Sequence, residues 1–391
     1  MAELNETPRG NRIHIAFFGL RNAGKSTLVN AFTGQDIAIV SDVPGTTTDP
    51  VSKAMEILPL GPCLITDTAG LDDEGGLGAQ RVAKSLEVLA ATDVAVWVNG
   101  RAASPLAAAA RRDCAPYQLV ANACAQRKIP LFEYSRGDSV EELKKKIAAV
   151  KLGEATPGLL DGLVKKGDRV LCVVPIDESA PKGRLILPQQ QVIRECLDKG
   201  VVCTICRPDE LFEFLSWGVF GLRDRLLIIT DSQAFGRVTQ TLKNSNTQNL
   251  KLTSFSILFA RQKGDLKEYV KGLAAIRGLK DGDTILVAEG CTHHRQCNDI
   301  GTVKIPKALE KLSGKNLKYE FASGGTFDLR RVEDVAPYRL VVHCGGCMLT
   351  RREVLRRIDL AKDAGVPIVN YGLILAMANG LGLESLEGLG G

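Results

Sequence analysis

Apolar residues in this chain come in short unbroken runs, most of them followed by a stretch of helical spacing. Ile13 to Gly19 is the first run, and Lys25 to Phe32 after it places apolar residues three and four apart, as a helix does. A polar segment, Ser41 to Asp49, leads to a strand ending at Asp67; a further strand is predicted over Val94 to Val98 and a helix over Val140 to Val150. The Gly153 to Gly162 stretch reads as a linker and closes a first domain at 1–160.

The same alternation then resumes. Val170 to Pro175, Val201 to Cys206 and Leu226 to Thr230 read as strands, with helical patterns over Gln189 to Lys199, Pro208 to Ser216 and Ser232 to Leu242. A last domain, 276–391, carries strands Thr284 to Ala288, Arg339 to Val342 and Pro367 to Asn370, and a helix Arg351 to Ala364 stopped by Gly365. Strands that read as continuous apolar runs are covered on both faces, which implies largely parallel sheets. The middle domain, 161–275, holds no phosphate loop, carboxylate pair or ligand cluster and is expected to make contacts, not chemistry. Its Cys203-Thr204-Ile205-Cys206 places two thiols on opposite faces of a strand, so they read as structural cysteines.

Composition narrows the setting. A chain of 391 residues with 45% hydrophobic content supports more than one core, and a net charge of +5 demands no nucleic-acid surface. No apolar run reaches the roughly 18 residues that cross a bilayer, so a cytoplasmic protein without a membrane partner is expected. Eleven scattered cysteines point to reduced thiols and a ligand set, not a disulfide framework.

Gly19-Leu20-Arg21-Asn22-Ala23-Gly24-Lys25-Ser26, continued by Thr27, fits the phosphate loop GxxxxGK[ST] after a strand and before a helix. Lys25 is suited to the β and γ phosphates, Ser26 to Mg²⁺, and the glycines admit backbone amides to the phosphate oxygens. Asp67-Thr68-Ala69-Gly70 answers the loop at a second strand end. Gly45-Thr46-Thr47-Thr48-Asp49 resembles the first switch of the tRNA-modification and ribosome-assembly GTPases, with Thr46 at the nucleotide and Thr47 as the Mg²⁺ threonine. Leu71 stands where Ras-like enzymes carry a water-orienting glutamine, so slow turnover is expected. Asn22 resembles the asparagine by which potassium-dependent members bind K⁺. Asn122-Ala123-Cys124-Ala125, read as following a strand from Tyr117 to Ala121, is the candidate base-reading segment; it lacks the lysine and aspartate of Asn-Lys-x-Asp. Ser135, in Tyr134-Ser135-Arg136, resembles the next base-contacting loop. The expected architecture is therefore α/β: a P-loop GTPase domain followed by two further α/β domains with largely parallel sheets.

Three of the four histidines stand in two thiol-bearing clusters, Cys291-Thr292-His293-His294 and His343-Cys344-Gly345-Gly346-Cys347. Cys291, Cys344 and Cys347 with His293 or His343 suit either tetrahedral zinc or an iron-sulfur cluster with one iron not held by thiolate. The position of Cys344 before a predicted helix favours thiolates, and the glycines leave room for a bulky inorganic core; both tilt the reading towards iron-sulfur. Each cluster follows a predicted strand, so the two can meet at one sheet edge although 49 residues (294–342) separate Cys-Thr-His from His-Cys-Gly-Gly-Cys.

The spacing of these clusters behind an amino-terminal phosphate loop resembles the FeFe-hydrogenase maturation GTPases, the HydF family. So do Ala180-Pro181-Lys182-Gly183-Arg184-Leu185-Ile186-Leu187-Pro188, Thr230-Asp231-Ser232-Gln233-Ala234-Phe235, Leu252-Thr253-Ser254-Phe255-Ser256 and Asn370-Tyr371-Gly372. The resemblance implies a dimer formed by the middle domain and a 4Fe-4S cluster on Cys291, Cys344 and Cys347 whose fourth iron is exchangeable. It also implies GTP with Mg²⁺ and K⁺, a transient diiron CO/CN precursor, two radical-SAM maturases as partners, and delivery to the apo-hydrogenase. The competing expectation is a tRNA-modification or ribosome-assembly GTPase with a structural zinc, although no basic, aromatic-rich RNA-binding stretch follows the first domain.

Overall fold

The computed structural model describes residues 9–34, 51–71, 82, 85–100, 114–150, 157–176, 185–216, 225–244, 250–290, 299–323, 332–346 and 349–380. They belong to two compact units, Met1–Ala155 and Thr156–Gly391.

The first unit is built on one five-stranded sheet. Its elements are β1 (Ile13–Phe18), α1 (Lys25–Thr33), β2 (Val51–Ile57), β3 (Gly61–Asp67), β4 (Val94–Asn99), α2 (Ala115–Gln126), β5 (Leu131–Ser135) and α3 (Val140–Ala148). The strand order is β2-β3-β1-β4-β5, parallel except for β2 against β3. The run Ile15 to Phe18 is apolar at every position because β1 is covered on both sides: Ile15 and Phe17 pack with Leu28 and Phe32, while Ala16 and Phe18 pack with Leu89 and Trp97. Helix α3 starts where the Ser139 side chain accepts the Glu142 amide, and it buries Leu143 and Ile147 one turn apart.

One expected strand is a helix. Tyr117 to Ala121 lies inside α2, which opens with Pro116 in its first turn and buries Val120 and Cys124 at i and i+4. A five-residue window hid that helical period, and four alanines across the segment favour the helix intrinsically.

The second unit holds two separate sheets. The first contains β6 (Arg169–Val173), α4 (Leu187–Asp198), β7 (Val202–Cys206), α5 (Leu211–Ser216), β8 (Leu226–Thr230), α6 (Phe235–Asn244), β9 (Leu250–Ser254) and α7 (Phe255–Lys263). Its strands run β7-β6-β8-β9, all parallel. Cys203 and Cys206 pack on opposite faces of β7, and the Cys203 Sγ lies 3.8 Å from that of Cys172. The second sheet contains α8 (Leu266–Ala275), β10 (Thr284–Ala288), α9 (Ile305–Ser313), β11 (Lys318–Ala322), α10 (Val332–Val335), β12 (Leu340–His343), α11 (Arg351–Asp363), β13 (Ile368–Asn370) and α12 (Tyr371–Ala378). Its order is β11-β10-β12-β13, again parallel. Helix α11 begins at a Thr350 cap that accepts the Glu353 amide and is followed by Gly365 at φ +67°.

Helix α8 lies so close to β13 that a Cβ on Gly272 would meet the backbone of Ile368. Alanine is the better helix former by about 1 kcal/mol, but here backbone must move to admit the methyl group, which costs roughly 1–3 kcal/mol or more. Gly272→Ala should therefore lower the stability of the chain despite its propensity, seen as a lower midpoint in urea unfolding.

Candidate functional site

The phosphate loop turns from β1 into α1 through backbone that favours glycine. Gly24 has φ +90°, and Asn22, an exposed residue, has φ +56°. At Gly19 a Cβ would come within 2.7 Å of the Val98 carbonyl oxygen, so β4 leaves room for no side chain there. Lys25 is buried and donates to the Gly19 and Leu20 carbonyls at 3.3 and 2.9 Å, holding its ammonium inside the loop where phosphate oxygens would sit. Ala23 closes the turn by donating its amide to Leu20, and Thr27 stands exposed in the first turn of α1.

Asp67 reaches this loop from the end of β3, because β3 pairs with β1 in a register that sets Phe17 opposite Asp67. The Ser26 hydroxyl donates to Asp67 Oδ2 at 2.6 Å, and Asp67 Oδ1, fully buried, has no hydrogen-bond partner among the described residues. Burial pushes the Asp67 carboxyl above its ordinary range, against the opposing effects of the Ser26 bond and the Lys25 charge. A hydroxyl beside an under-satisfied buried carboxylate is a donor set that fits Mg²⁺, which would restore the ionised form. Gly70 packs against the loop itself: a Cβ would lie 2.8 Å from the Arg21 nitrogen. Leu71 is buried in the core and donates its amide to Gly19, so its side chain serves packing. Thr46 and Thr47 lie outside the described residues.

The base-reading expectation at Asn122 is corrected by the fold. Asn122 is exposed on α2, not at a strand end. The strand beside β4 is β5, and its last residue Ser135 faces Asn99, the last residue of β4, with Asn99 Nδ2 3.5 Å from Ser135 Oγ. Asn99 also accepts from Trp97 and donates to Glu133. Sequence reading missed Asn99; its place directly after an apolar strand was the available signal.

In the second unit, β10 and β12 are neighbours with Ala288 opposite His343, so the chain leaving β10 towards Cys291 and the chain leaving β12 into Cys344 emerge side by side. The Gly290 amide donates to Cys344 Sγ at 3.1 Å and the Gly346 amide does so at 3.4 Å. Both amides thus point at one sulfur. A Cβ on Gly345 would meet nothing within 4 Å among the described residues. Among the described residues, the surroundings of Cys344 Sγ, two amide donors beside a glycine turn, suit a sulfur that holds a metal group. Cys291, His293 and Cys347 lie outside the described residues, and among the described ones no three candidate ligands converge.

His343, a candidate ligand by sequence, is assigned differently by its surroundings. It is buried, its Nδ1 lies 2.7 Å from the Cys344 carbonyl oxygen, and its Nε2 lies 3.1 Å from Arg357 Nη1. Burial, and then the Arg357 charge, lower its pKa to about 4, so the ring is neutral, donating through Nδ1 and accepting at Nε2. Both nitrogens are engaged, and in this arrangement neither is open to a metal. Arg357 in turn donates to Glu353, which also receives Arg356. Asn370 Nδ2 makes a second bond to the Cys344 carbonyl, while its Oδ1 caps α12 at the Gly372 amide. Arg357 stands in a basic run, Arg351-Arg352 to Arg356-Arg357, that by sequence reads as a solvated helix face; the structure corrects this at Arg357, which is buried because β12 and the turns of α11 bring in its partners.

A largely parallel sheet with a glycine-shaped phosphate loop after β1, a Ser26–Asp67 pair and Gly70 against the loop defines a P-loop GTPase domain. Comparison with known families agrees: residues 14–123 match the 50S ribosome-binding GTPase profile, residues 159–264 the hydrogen maturase F dimerization domain, and residues 267–387 the hydrogen maturase F tetramerization domain. The chain belongs to the hydrogen maturase F family. Relatives of the GTPase part include the tRNA modification GTPase MnmE of Methylobacterium sp. (strain 4-46), 40% identical over 114 residues, and that of Endomicrobium trichonymphae, 32% identical over 168 residues. These alignments cover 27% and 39% of this chain and only 26% and 35% of the relatives. Among solved structures, Aquifex aeolicus Era bound to GDP.AlF4- aligns over 83% of this chain and 97% of its own at 15% identity, with a TM-score of 0.25. No helix among the described residues is long and apolar enough to cross a membrane.

Gly70→Ala should push the Arg21 backbone and misplace the phosphate loop, lowering GTP turnover by roughly 10²-fold, measured as phosphate release. Arg357→Met should remove one side of a buried charged network and cost roughly 3–5 kcal/mol, read from urea unfolding.

Proposed function

We propose that this chain is a GTPase scaffold of FeFe-hydrogenase maturation. It holds a 4Fe-4S cluster through Cys291, Cys344 and Cys347 and carries a diiron CO/CN precursor to the apo-hydrogenase. The observation that supports the reading is the parallel register of β10 with β12, in which the Gly290 amide after β10 and the Gly346 amide after β12 both point at Cys344 Sγ. Three thiolates leave one iron exchangeable, which suits a carrier that must both protect and release its cargo. His293 is the candidate for that position, since His343 is committed to Cys344 and Arg357.

In the first unit Lys25, Ser26, Thr47 and Asp67 hold and turn over GTP with Mg²⁺, slowly, and Asn22 places K⁺ beside the phosphates. With no Asn-Lys-x-Asp segment, base selectivity rests on the strand ends at Asn99 and Ser135. The family's dimerization domain and an apolar edge support a homodimer: Val202 and Ile205 of the edge strand β7, with Leu197 and Phe212, are exposed. Two radical-SAM maturases complete the expected partners, and the setting is cytoplasmic, without a membrane or nucleic-acid partner.

Anaerobic reconstitution followed by iron and sulfide analysis and EPR of the reduced protein tests the cluster. A 4Fe-4S signal is expected in the natural chain and its loss in the Cys291→Ser, Cys344→Ser, Cys347→Ser triple variant; stoichiometric zinc without iron would overturn the reading. GTP turnover should rise when K⁺ replaces Na⁺, and Asn22→Ala should abolish that difference.

A further inference from the structure

The loop that carries Cys344 is held from outside its own sheet. Lys263, the last residue of α7 in the middle domain, is only 3% exposed. Its Nζ donates to the Gly346 and Leu349 carbonyls at 3.1 and 2.9 Å, and stands 5.8 Å from the centre of the Phe259 ring. The return contact comes from the first residue of α11: Arg351 Nη1 donates to the Gln262 carbonyl at 3.1 Å. Two cations thus cross between the end of α7 and the segment 346–351, each bonding the other's backbone.

An ordinary lysine at a helix carboxyl end caps its own helix and keeps its ammonium in water. Lys263 differs: among the described residues its ammonium donates to carbonyls of the loop, and its head is buried. A buried ammonium is costly unless fixed dipoles or charges offset its lost hydration, so the ammonium and the loop carbonyls hold one another in place. Gly346, one of its partners, also donates to Cys344 Sγ. The lysine is therefore one residue's bonding away from the candidate ligand sulfur.

We propose that Lys263 is the positioning residue of the cluster loop: through it the middle domain fixes the backbone at Gly346 and Leu349 and places a positive charge that favours the reduced, more negative cluster. This rests on the cluster reading given above. Its first half concerns the loop alone and is measurable without any metal.

The experiment compares Lys263→Met, Lys263→Arg and Arg351→Met with the natural full-length chain. Hydrogen exchange of backbone amides in 342–350 is followed in the metal-free protein, and EPR-monitored redox titration and iron release to a chelator are followed after reconstitution. Lys263→Met should speed loop exchange and iron release by roughly 10-fold or more and move the midpoint potential to more negative values, while Lys263→Arg keeps the potential near its original value. Exchange in Lys263→Met equal to that of the natural chain would overturn the positioning role; faster exchange with an unmoved potential would overturn the charge role. If the natural chain retains no iron, the cluster reading fails on its own, and the exchange arm still decides the clasp. Should Lys263→Met fail to fold, Arg351→Met opens the other half of the same clasp at a half-buried position, and unchanged loop exchange there would overturn the proposal.

Discussion

Parallel strand pairing is the constraint on which both candidate sites depend. In a parallel sheet every strand delivers its following loop to the same edge, and the registers here decide which loops meet. Phe17 opposite Asp67 brings the phosphate loop to its acid, and Ala288 opposite His343 brings Gly290 to the sulfur of Cys344. A slip of one residue in β12 would turn His343 away from Arg357 and move Cys344 off the Gly290 amide, because side chains alternate faces at every position. The apolar runs that fill these strands therefore do two things: they supply the cores, and through their packing they fix the register that assembles the chemistry.

The two sites manage charge differently. At the phosphate loop the protein leaves an acid under-satisfied, with Asp67 Oδ1 buried and without a described partner, so that a divalent cation has somewhere to bind. Behind the cysteine loop the polar groups serve one another instead. His343 is kept neutral by burial, its two nitrogens spent on Cys344 and Arg357, and Arg357 and Arg356 converge on Glu353. Asn370 adds a second donor to the Cys344 carbonyl. A network of this kind contributes little net stability over apolar packing; what it does is satisfy the buried polar groups that stand behind Cys344.

Much of this was legible beforehand where one residue's role is set by its immediate neighbours. The phosphate loop, its following helix and Asp67-Thr68-Ala69-Gly70 could be read because backbone torsion and strand–loop–helix succession are local properties. So could the opposite facing of Cys203 and Cys206, which follows from the two-residue period of a strand. The reading failed at Tyr117 to Ala121, where a short apolar window concealed the i and i+4 pair Val120 and Cys124 of a helix, and with it fell the placement of Asn122. At His343 the partners were not legible for another reason: a histidine beside a cysteine has the composition of a ligand, and only the tertiary structure shows its contacts with Arg357 and the Cys344 carbonyl.

The amino-acid sequence by itself determined the alternation of strands and helices along most of the chain, the phosphate loop and the two thiol clusters, because hydrophobic period and motif spacing act over a few residues. Only the tertiary structure decided that Asn99 meets Ser135, that Lys263 reaches across to Gly346 and Leu349, and that His343 is held by Arg357. These partners stand from 14 to 86 residues apart in the chain, and their meeting is set by sheet order and helix packing, which no local pattern encodes.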